Sequence, residues 1–241
     1  LAKVLRIACY LDLEDAEYIL ENRPIYNFLV RLRLYAYSYI CSSGVLVSSS
    51  LLLCPSQPTN QQVYYGYVEN SFTQPGCQTS FIYSNSAVNI LFCGTLAEDT
   101  GAETLLSCLR LLALDRNPVI TKLCFHISGY GAFAKQFQEY HEHISRPLLR
   151  FHGRLPLADY NYLLSQIDIS LSLKKITGPL SFTTFPSKVL ELAGKGHYLI
   201  ATDISDVRSL LAPVPSTLLT QDSPRLLADA IISCADNISS I

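Results

Sequence analysis

The sequence lacks methionine, a long apolar run and an excess of positive charge. Because it begins at Leu1 instead of methionine, we expect it to be a fragment of a longer chain with further residues before this point. The run Val45–Cys54 is the best candidate for a membrane span, but it falls short of the ~20 residues required and is interrupted by serines. With a formal net charge of −2, the chain has no general basic field for nucleic acid. These absences argue against a membrane-spanning segment and against a nucleic-acid partner.

Spacings typical of metal sites and disulfide frameworks are missing as well. The eight cysteines include no CxxC pair, and several lie in apolar runs where any small apolar side chain would serve. None of the five histidines has a partner at metal-type spacing, since His141 and His143 are two positions apart and would point to different sides of a helix. We therefore predict reduced cysteines, a cytoplasmic location and no metal site.

Chain length and a shift in composition predict two unequal domains. At 241 residues the chain exceeds the usual size of one domain. Residues 70–87 collect small and polar residues with little periodicity, which is typical of a linker. We therefore assign residues 1–69 to the end of an amino-terminal domain and residues 88–241 to a second domain. Within residues 1–69 the patterns predict strand Val4–Tyr10 ending before the acidic cluster that begins at Asp12, helix Tyr26–Ile40, and strands Val45–Val47 and Val63–Val68.

Residues 88–241 alternate regularly between short apolar runs and amphipathic stretches. This alternation predicts an α/β fold with a Rossmann-like, doubly wound parallel sheet, preceded by a partial second domain of the same type. The predicted strands are Val88–Cys93, Leu123–Ile127, Leu148–His152, Ile167–Leu173 and Tyr198–Ala201, and the predicted helices are Ala102–Ala113, Ala132–Ile144, Leu157–Ser165, Ser187–Ala193 and Pro224–Cys234.

Loops at the carboxyl ends of these strands are the candidate binding elements, because ligands of open α/β sheets bind there. Gly94 and Thr95 open the first loop and Gly129 lies in the loop Ser128–Gly131, where glycines would let backbone amides approach an anion. A tight strand-to-helix turn would require glycine equally well. Arg154, after the third strand, could reach a phosphate or a base, or could be an ordinary solvated arginine.

Several stretches resemble family-4-type glycosyltransferases of the GT-B fold, the glycosyl transferases group 1. FPSKVLELAGKG followed by HYLIATDISDV resembles the family's signature region, and VNILFCGTLAEDTGAETLL resembles the first strand, glycine loop and helix of its donor domain. LLRFHGRLPLADYNYLLSQIDISLSL resembles a later strand, helix and strand, whereas SYICSSGVLVSSSLL and VYYGYVEN resemble the last elements of the acceptor domain. The resemblance implies that residues 88–241 bind a nucleotide-diphosphate sugar and that residues 1–69 end the acceptor domain.

The resemblance also implies roles for individual residues. Glu191 matches the second glutamate of the family's paired-glutamate motif, whose carboxylate accepts hydrogen bonds from the nucleotide ribose; otherwise it would be an ordinary glutamate on a helix surface. The first glutamate of that motif falls on Thr183, so the carboxylate expected near the transferred sugar is absent. Backbone amides of Phe185 to Ser187 are expected to hold the diphosphate or sugar hydroxyls, and Lys188 to neutralise negative charge beside them.

Cationic residues depart from the family pattern. The family places an arginine and a lysine around the first glycine loop, whereas this sequence offers Thr95 and Thr100 there. Lys174 and Lys175 could replace part of that charge, although adjacent lysines are more often solvated surface. We assign no catalytic residue from the sequence.

These features together predict a glycosyltransferase that moves a sugar from a nucleotide-diphosphate donor to a hydroxyl acceptor, in surface polysaccharide or glycan synthesis. The donor is a substrate, and no cofactor is predicted. Peripheral contact with the inner face of a membrane stays open, because Arg23, Arg31 and Arg33 form too small a basic cluster to argue it. Two alternatives also remain: a non-catalytic glycosyltransferase-like binding or partner subunit, and a sugar-nucleotide epimerase. The sequence identifies neither base, sugar, acceptor nor oligomeric state.

Overall fold

The computed structural model describes residues 10–13, 24–26, 28–29, 32, 36, 44–47, 61–63, 87–177, 181, 184 and 187–238. The chain divides into two compact units, one of residues 1–67, 177–187 and 204–210 and the other of residues 68–176, 188–203 and 211–241. The predicted linker, residues 70–87, lies outside the described residues except for Ala87. The domain boundary therefore stays a prediction.

The first unit contains a parallel sheet of three short strands: β1 (Tyr10–Leu13), β2 (Gly44–Val47) and β3 (Gln61–Val63), paired in that order. β2 confirms the strand predicted at Val45–Val47. The expected loop at Asp12 is wrong, because β1 continues to Leu13 and pairs with β2 along its whole length. The last strand begins earlier than expected, at Gln61.

The structure describes only parts of the other elements predicted within residues 1–69. Residues 26, 28–29, 32 and 36 are helical, in agreement with the helix predicted from Tyr26 to Ile40, and residues 24 and 25 are helical as well. Positions 4–9 and 64–68 of the two outer predicted strands lie outside the described residues.

From residue 88 onward, strands and helices alternate. The strands are β4 (Val88–Thr95), β5 (Leu123–Tyr130), β6 (Leu148–Gly153), β7 (Ile169–Ser172), β8 (Tyr198–Thr202) and β9 (Ser216–Leu219). The helices are α1 (Ala102–Leu114), α2 (Ala134–His143), α3 (Leu157–Leu164), α4 (Ser187–Ala193), α5 (Val207–Leu211) and α6 (Pro224–Asn237), with a 3-10 helix at Pro118–Lys122. Among the described residues, none of the helices has the length and apolar character needed to cross a bilayer.

The sheet of the second unit has six parallel strands in the order β6-β5-β4-β7-β8-β9. This is the Rossmann-like, doubly wound α/β fold predicted from the sequence. Within this sheet the chain passes first through β4 and continues outward to β5 and β6. It then crosses to the other side of β4, where it forms β7, β8 and β9. The topological switch point, where ligands of such sheets bind, therefore lies between the carboxyl ends of β4 and β7.

One-sided burial of the helices forms the core. α1 buries the stripe Ala102, Leu105, Leu106, Cys108, Leu109 and Leu112, whereas Glu103 and Arg110 are exposed, as its amphipathic pattern predicts. The first five residues of β4 are all buried, which is typical of a strand covered on both faces. Since burying one large apolar side chain stabilises a fold by about 1.5–3 kcal/mol, this core holds the central strand ends firmly in place.

Strand and helix boundaries differ from the sequence prediction at several points. The loop predicted from Ser128 is wrong for three residues, because β5 continues to Tyr130 and pairs in register with the last residues of β4. Neither α5 nor β9 is expected from the sequence, since elements of five and four residues are too short to show a clear period. On α6, Leu226 is 40% exposed, whereas Leu227 is buried.

Candidate functional site

The candidate site lies at the carboxyl end of β4, beside the switch point. Cys93 stands near the end of this strand, α3 supplies Tyr160, and α4 supplies Lys188 and Glu191. These four side chains are linked by hydrogen bonds, and we refer to them as the Glu191 cluster. Lys188 also lies beside Gly94, because its Cε is 3.8 Å from where a Cβ on that glycine would stand. Three predicted site residues, Gly94, Lys188 and Glu191, are thus brought together.

Glu191 is held through both oxygens of its carboxylate. Oε1 accepts a hydrogen bond of 3.0 Å from the Tyr160 hydroxyl, and Oε2 lies 2.6 Å from Nζ of Lys188. The Glu191 side chain is 29% exposed, so it is neither buried nor an ordinary solvated surface group. An ionised carboxylate offers about four lone-pair positions, which leaves acceptor capacity for further donors from the open side.

Tyr160 is a member of the cluster that sequence reasoning missed. Its hydroxyl donates its one proton to Glu191, lies 3.2 Å from Sγ of Cys93, and accepts from Nζ of Lys188 at 3.4 Å. Since that proton is already used, the Cys93 thiol is the donor in the contact with Tyr160. Burial, together with the neighbouring Cys93 and Glu191, raises the pKa of Tyr160, so the phenol stays a donor at any physiological pH.

The surroundings of the Glu191 cluster shift the pKa of both Lys188 and Cys93. Burial opposes the charged form of Lys188, but Cys93 and Glu191 beside it raise the pKa of its ammonium overall. Burial raises the pKa of the Cys93 thiol, and the nearby Lys188 charge offsets this in part. The Lys188 ammonium also stands over the Tyr160 ring, 5.4 Å from its centroid. Lys188 is therefore a fixed positive charge beside the Gly94 turn.

Gly129 has a structural requirement that is independent of any ligand. Its φ is 151°, and a Cβ added there would lie 1.8 Å from the carbonyl oxygen of Gly94, its partner across the two strands. Gly94 itself has a φ of 116°, which side-chain-bearing residues rarely adopt. The two glycines let the ends of β4 and β5 approach closely, so close backbone packing accounts for Gly129 without anion binding.

The threonines of the first loop close a turn. The Thr100 hydroxyl lies 2.6 Å from the Thr95 carbonyl oxygen and 2.9 Å from that of Ala97, and it accepts a hydrogen bond of 3.1 Å from the Ala97 amide. Thr95 is exposed at the end of β4. The Thr100 hydroxyl is therefore engaged with backbone within the loop around which the resemblance predicted cationic side chains.

The remaining predicted site residues are placed as follows. Arg154 is exposed and its guanidinium stands over the Tyr130 ring, 5.6 Å from the centroid. Ser187 is exposed and is the first residue of α4. Thr183 and Phe185 lie outside the described residues, so their roles, and that of the 185–187 amides, stay predictions.

Lys174 and Lys175 lie in the loop after β7. Lys175 forms an ion pair with Glu98 from the loop after β4, and the hydrogen bond to Glu98 raises the pKa of the lysine despite slight burial. Its backbone amide donates to the Asp99 carbonyl at 3.0 Å, and the amide of Lys174 donates to the Thr202 hydroxyl at 2.9 Å. These contacts tie together the loops on either side of the switch point.

His126 and His152 form a stacked pair that the sequence spacing did not reveal. Nδ1 of His126 lies 3.0 Å from Nε2 of His152, and Nε2 of His126 lies 3.2 Å from Oδ1 of Asn89 and 3.4 Å from Sγ of Cys124. Burial lowers the pKa of His126 to about 3 and that of His152 to about 4, with neighbouring positive charge adding to each shift. Both imidazoles are therefore neutral at pH 7, which keeps a charge off the fully buried His126.

No group of three or more metal-binding side chains is found within the described part of the chain. The cysteines described there, Cys93, Cys108, Cys124 and Cys234, are free thiols.

Comparison with protein families gives one clear match. The family model described as "Glycosyl transferases group 1" covers residues 87–237, which include the whole six-stranded sheet and the Glu191 cluster. A search of curated proteins found no match.

Solved structures share the fold over nearly the whole chain. The structure of Anabaena HepE in complex with UDP superimposes with a TM-score of 0.68 at 18% identity, covering 98% of this chain and 65% of HepE. The complex of the same protein with UDP-glucose gives a TM-score of 0.64 at 18% identity over 99% of this chain and 65% of HepE. TarM gives a TM-score of 0.61 at 12% identity over 95% of this chain and 44% of TarM. At this identity the likeness concerns the fold, and the chain spans 65% of the length of HepE.

Proposed function

The chain belongs to the glycosyl transferases group 1 family, and we propose that its second unit binds a nucleotide-diphosphate sugar at the Glu191 cluster for transfer to a hydroxyl acceptor. The observation that carries the proposal is the oriented Glu191 carboxylate at the switch point, held by Tyr160 and Lys188. A carboxylate is an acceptor-only group whose two oxygens suit two vicinal ribose hydroxyls. Glu191 is therefore the proposed ribose ligand.

Lys188 supplies the positive charge that the diphosphate needs. Its ion pair with Glu191 is partly open to solvent on both sides, so the phosphates of a bound donor can approach the Lys188 ammonium. Because Lys188 already lies against Gly94, the phosphates of a bound donor would reach it beside that turn. Stabilising charge on the departing diphosphate is the proposed source of catalysis.

UDP is the nucleotide to test first. Anabaena HepE was solved with UDP and with UDP-glucose, and it shares this fold. We extend that chemistry to this chain as a proposal and include GDP and ADP as competitors. The sugar acceptor is proposed to be a hydroxyl of a growing surface polysaccharide or other glycan, handled at the inner face of a membrane. Co-sedimentation with anionic vesicles tests the membrane part separately.

A thermal-shift titration with UDP, GDP and ADP tests donor binding, since a ligand that binds the folded state raises the apparent Tm. We expect one nucleotide to stabilise the protein and Glu191→Ala to abolish the shift. Glu139→Ala is the matched control, because Glu139 is an exposed helical glutamate in an ion pair with Lys135, on α2. Absence of a shift with all three nucleotides would contradict the proposal.

A non-catalytic binding subunit is the second candidate, and the Thr100 turn favours it. The hydroxyl of Thr100 is engaged by backbone in the loop around which the family resemblance implies an arginine and a lysine, so this loop offers less charge to stabilise a leaving diphosphate. Release of UDP from UDP-glucose in the presence of simple glycan acceptors distinguishes the candidates. Binding without UDP release would favour the binding subunit, and conversion of the sugar without acceptor would identify an epimerase.

A further inference from the structure

We propose that Tyr160 is a positioning residue that fixes the Glu191 carboxylate for the nucleotide ribose, so that discrimination between ribose and deoxyribose depends on the Tyr160 hydroxyl. The proposal rests on the proposed function, since it concerns how Glu191 performs the ribose role. Tyr160 lies on α3 and Glu191 on α4, so their contact is set by the fold and not by proximity in sequence.

The geometry gives Tyr160 a role that Lys188 cannot share. Tyr160 donates to Oε1 of Glu191 and Lys188 contacts Oε2, so the two together fix the rotation of the carboxylate. A bound diphosphate would draw the Lys188 ammonium away from Oε2. Tyr160 then remains as the group that holds the carboxylate plane, because its ring is anchored in a half-buried position on α3.

Cys93 fixes the hydroxyl of Tyr160 in turn. Cys93 lies near the end of β4, and its Sγ is 3.2 Å from the Tyr160 hydroxyl. A chain of hydrogen bonds therefore runs from the central strand through Tyr160 to Glu191. Hydrogen bonds in such a chain polarise one another, so the contact from Cys93 strengthens the hydrogen bond from Tyr160 to Glu191. The Glu191 carboxylate, the proposed ribose ligand, is therefore held in a defined position relative to the end of β4.

Tyr160→Phe keeps the ring and removes the hydroxyl. We measure by calorimetry the Kd of UDP and of 2′-deoxy-UDP for the wild-type chain and for this variant. Wild type is expected to prefer UDP by about tenfold, because a hydrogen bond to a charged carboxylate is at stake. In Tyr160→Phe the preference should fall to about twofold, mainly through weaker UDP binding, while the Kd of 2′-deoxy-UDP stays within about twofold of wild type.

Tyr198→Phe is the matched control. Tyr198 is also half-buried in the second unit and its hydroxyl lies 2.8 Å from that of Thr217, but it stands at the amino end of β8, away from the ligand edge of the sheet. We expect this variant to retain the wild-type ribose preference. Circular dichroism and Tm verify that both variants fold.

A double-mutant cycle with Glu191→Gln tests whether Tyr160 acts through Glu191. If it does, adding Tyr160→Phe to Glu191→Gln should change the ribose preference no further. The positioning role would be overturned if folded Tyr160→Phe kept the wild-type preference for UDP over 2′-deoxy-UDP. It would also be overturned if the losses of preference in the two single variants added up in the double variant. Either result would leave the nucleotide site intact. If the wild-type chain binds neither UDP nor 2′-deoxy-UDP, nor GDP or ADP, the proposed function fails and the inference fails with it.

Discussion

Lys188 Nζ stands 2.6 Å from Oε2 of Glu191, while its Cε lies against the Gly94 turn at the end of β4. One lysine thus connects the proposed ribose ligand to the turn where the diphosphate would lie. Because the charge proposed to hold the phosphates and the carboxylate proposed to hold the ribose belong to different residues, the two roles can be tested with different ligands.

Lys188→Gln should weaken UDP binding by about tenfold and UMP binding by less than about threefold, because the second phosphate carries the charge that the ammonium neutralises. Calorimetric titration of both nucleotides measures this. Lys135→Gln is the control, since Lys135 is an exposed lysine paired with Glu139 on α2. Equal loss for UMP and UDP would show that Lys188 does not contact the second phosphate.

Gly129→Ala should lower the free energy of unfolding by about 2–4 kcal/mol, since the new methyl group would stand 1.8 Å from the Gly94 carbonyl oxygen and the backbone φ is unfavourable. Gly153→Ala is the control for a positive φ without a clash: Gly153 has a φ of 60°, and a Cβ there would meet no atom within 4 Å. It should cost about 1 kcal/mol. Urea denaturation compares the two, and equal losses would refute the clash as the cause.

Thr100→Val should reduce stability by about 1–2 kcal/mol and leave the Kd of UDP within about threefold, because the Thr100 hydroxyl holds the turn through the Thr95 and Ala97 backbone. Denaturation and calorimetry on the same variant separate these effects. Thr121→Val removes a comparable exposed hydroxyl bond, to Pro118, far along the chain. A large loss of UDP affinity in folded Thr100→Val would assign Thr100 to the donor.

Acid should destabilise the fold through the His126–His152 pair. The pKa of His126 is lowered to about 3 and that of His152 to about 4, whereas an unfolded histidine titrates near 6.5, so the unfolded state binds more protons between those values. The stabilisation is complete above about pH 6.5 and is lost as the pH falls towards 3.

His126→Gln tests this dependence. Stability of the wild type, measured by urea denaturation, should fall more steeply between pH 6.5 and 4 than that of the variant, at about 1.4 kcal/mol for each unit of pKa difference removed. His143→Gln, which alters an exposed histidine on α2, should keep the wild-type slope. Parallel slopes for wild type and His126→Gln would contradict the role of the pair.

The sheet could be predicted because its strands are continuous apolar runs separated by amphipathic stretches. β4 and α1 follow directly from those patterns, and α4 has the predicted bounds Ser187–Ala193. The extension of β5 to Tyr130 could not be read in the same way, since glycine and serine at its end look like a loop until cross-strand pairing with β4 is known. β9 is too short to carry a period.

The sequence could point to the candidate site where a family motif lies, but not where the fold brings distant residues together. Glu191 and Lys188 lie in one short motif, so their proximity is a property of the helix. Tyr160 comes from another helix and Cys93 from the central strand, and no spacing in the sequence connects positions 93, 160 and 191. The same holds for His126 and His152, which meet across β5 and β6.

The most direct test of the account is the Kd of UDP for wild type and Glu191→Gln, measured by calorimetry. The substitution keeps the size of the side chain and removes the negative charge of the carboxylate that is proposed to accept hydrogen bonds from the ribose hydroxyls. The account predicts that Glu191→Gln binds UDP about tenfold more weakly or worse, with the fold intact by circular dichroism. Equal affinity for UDP in the two proteins would contradict the assignment of Glu191 as the ribose ligand.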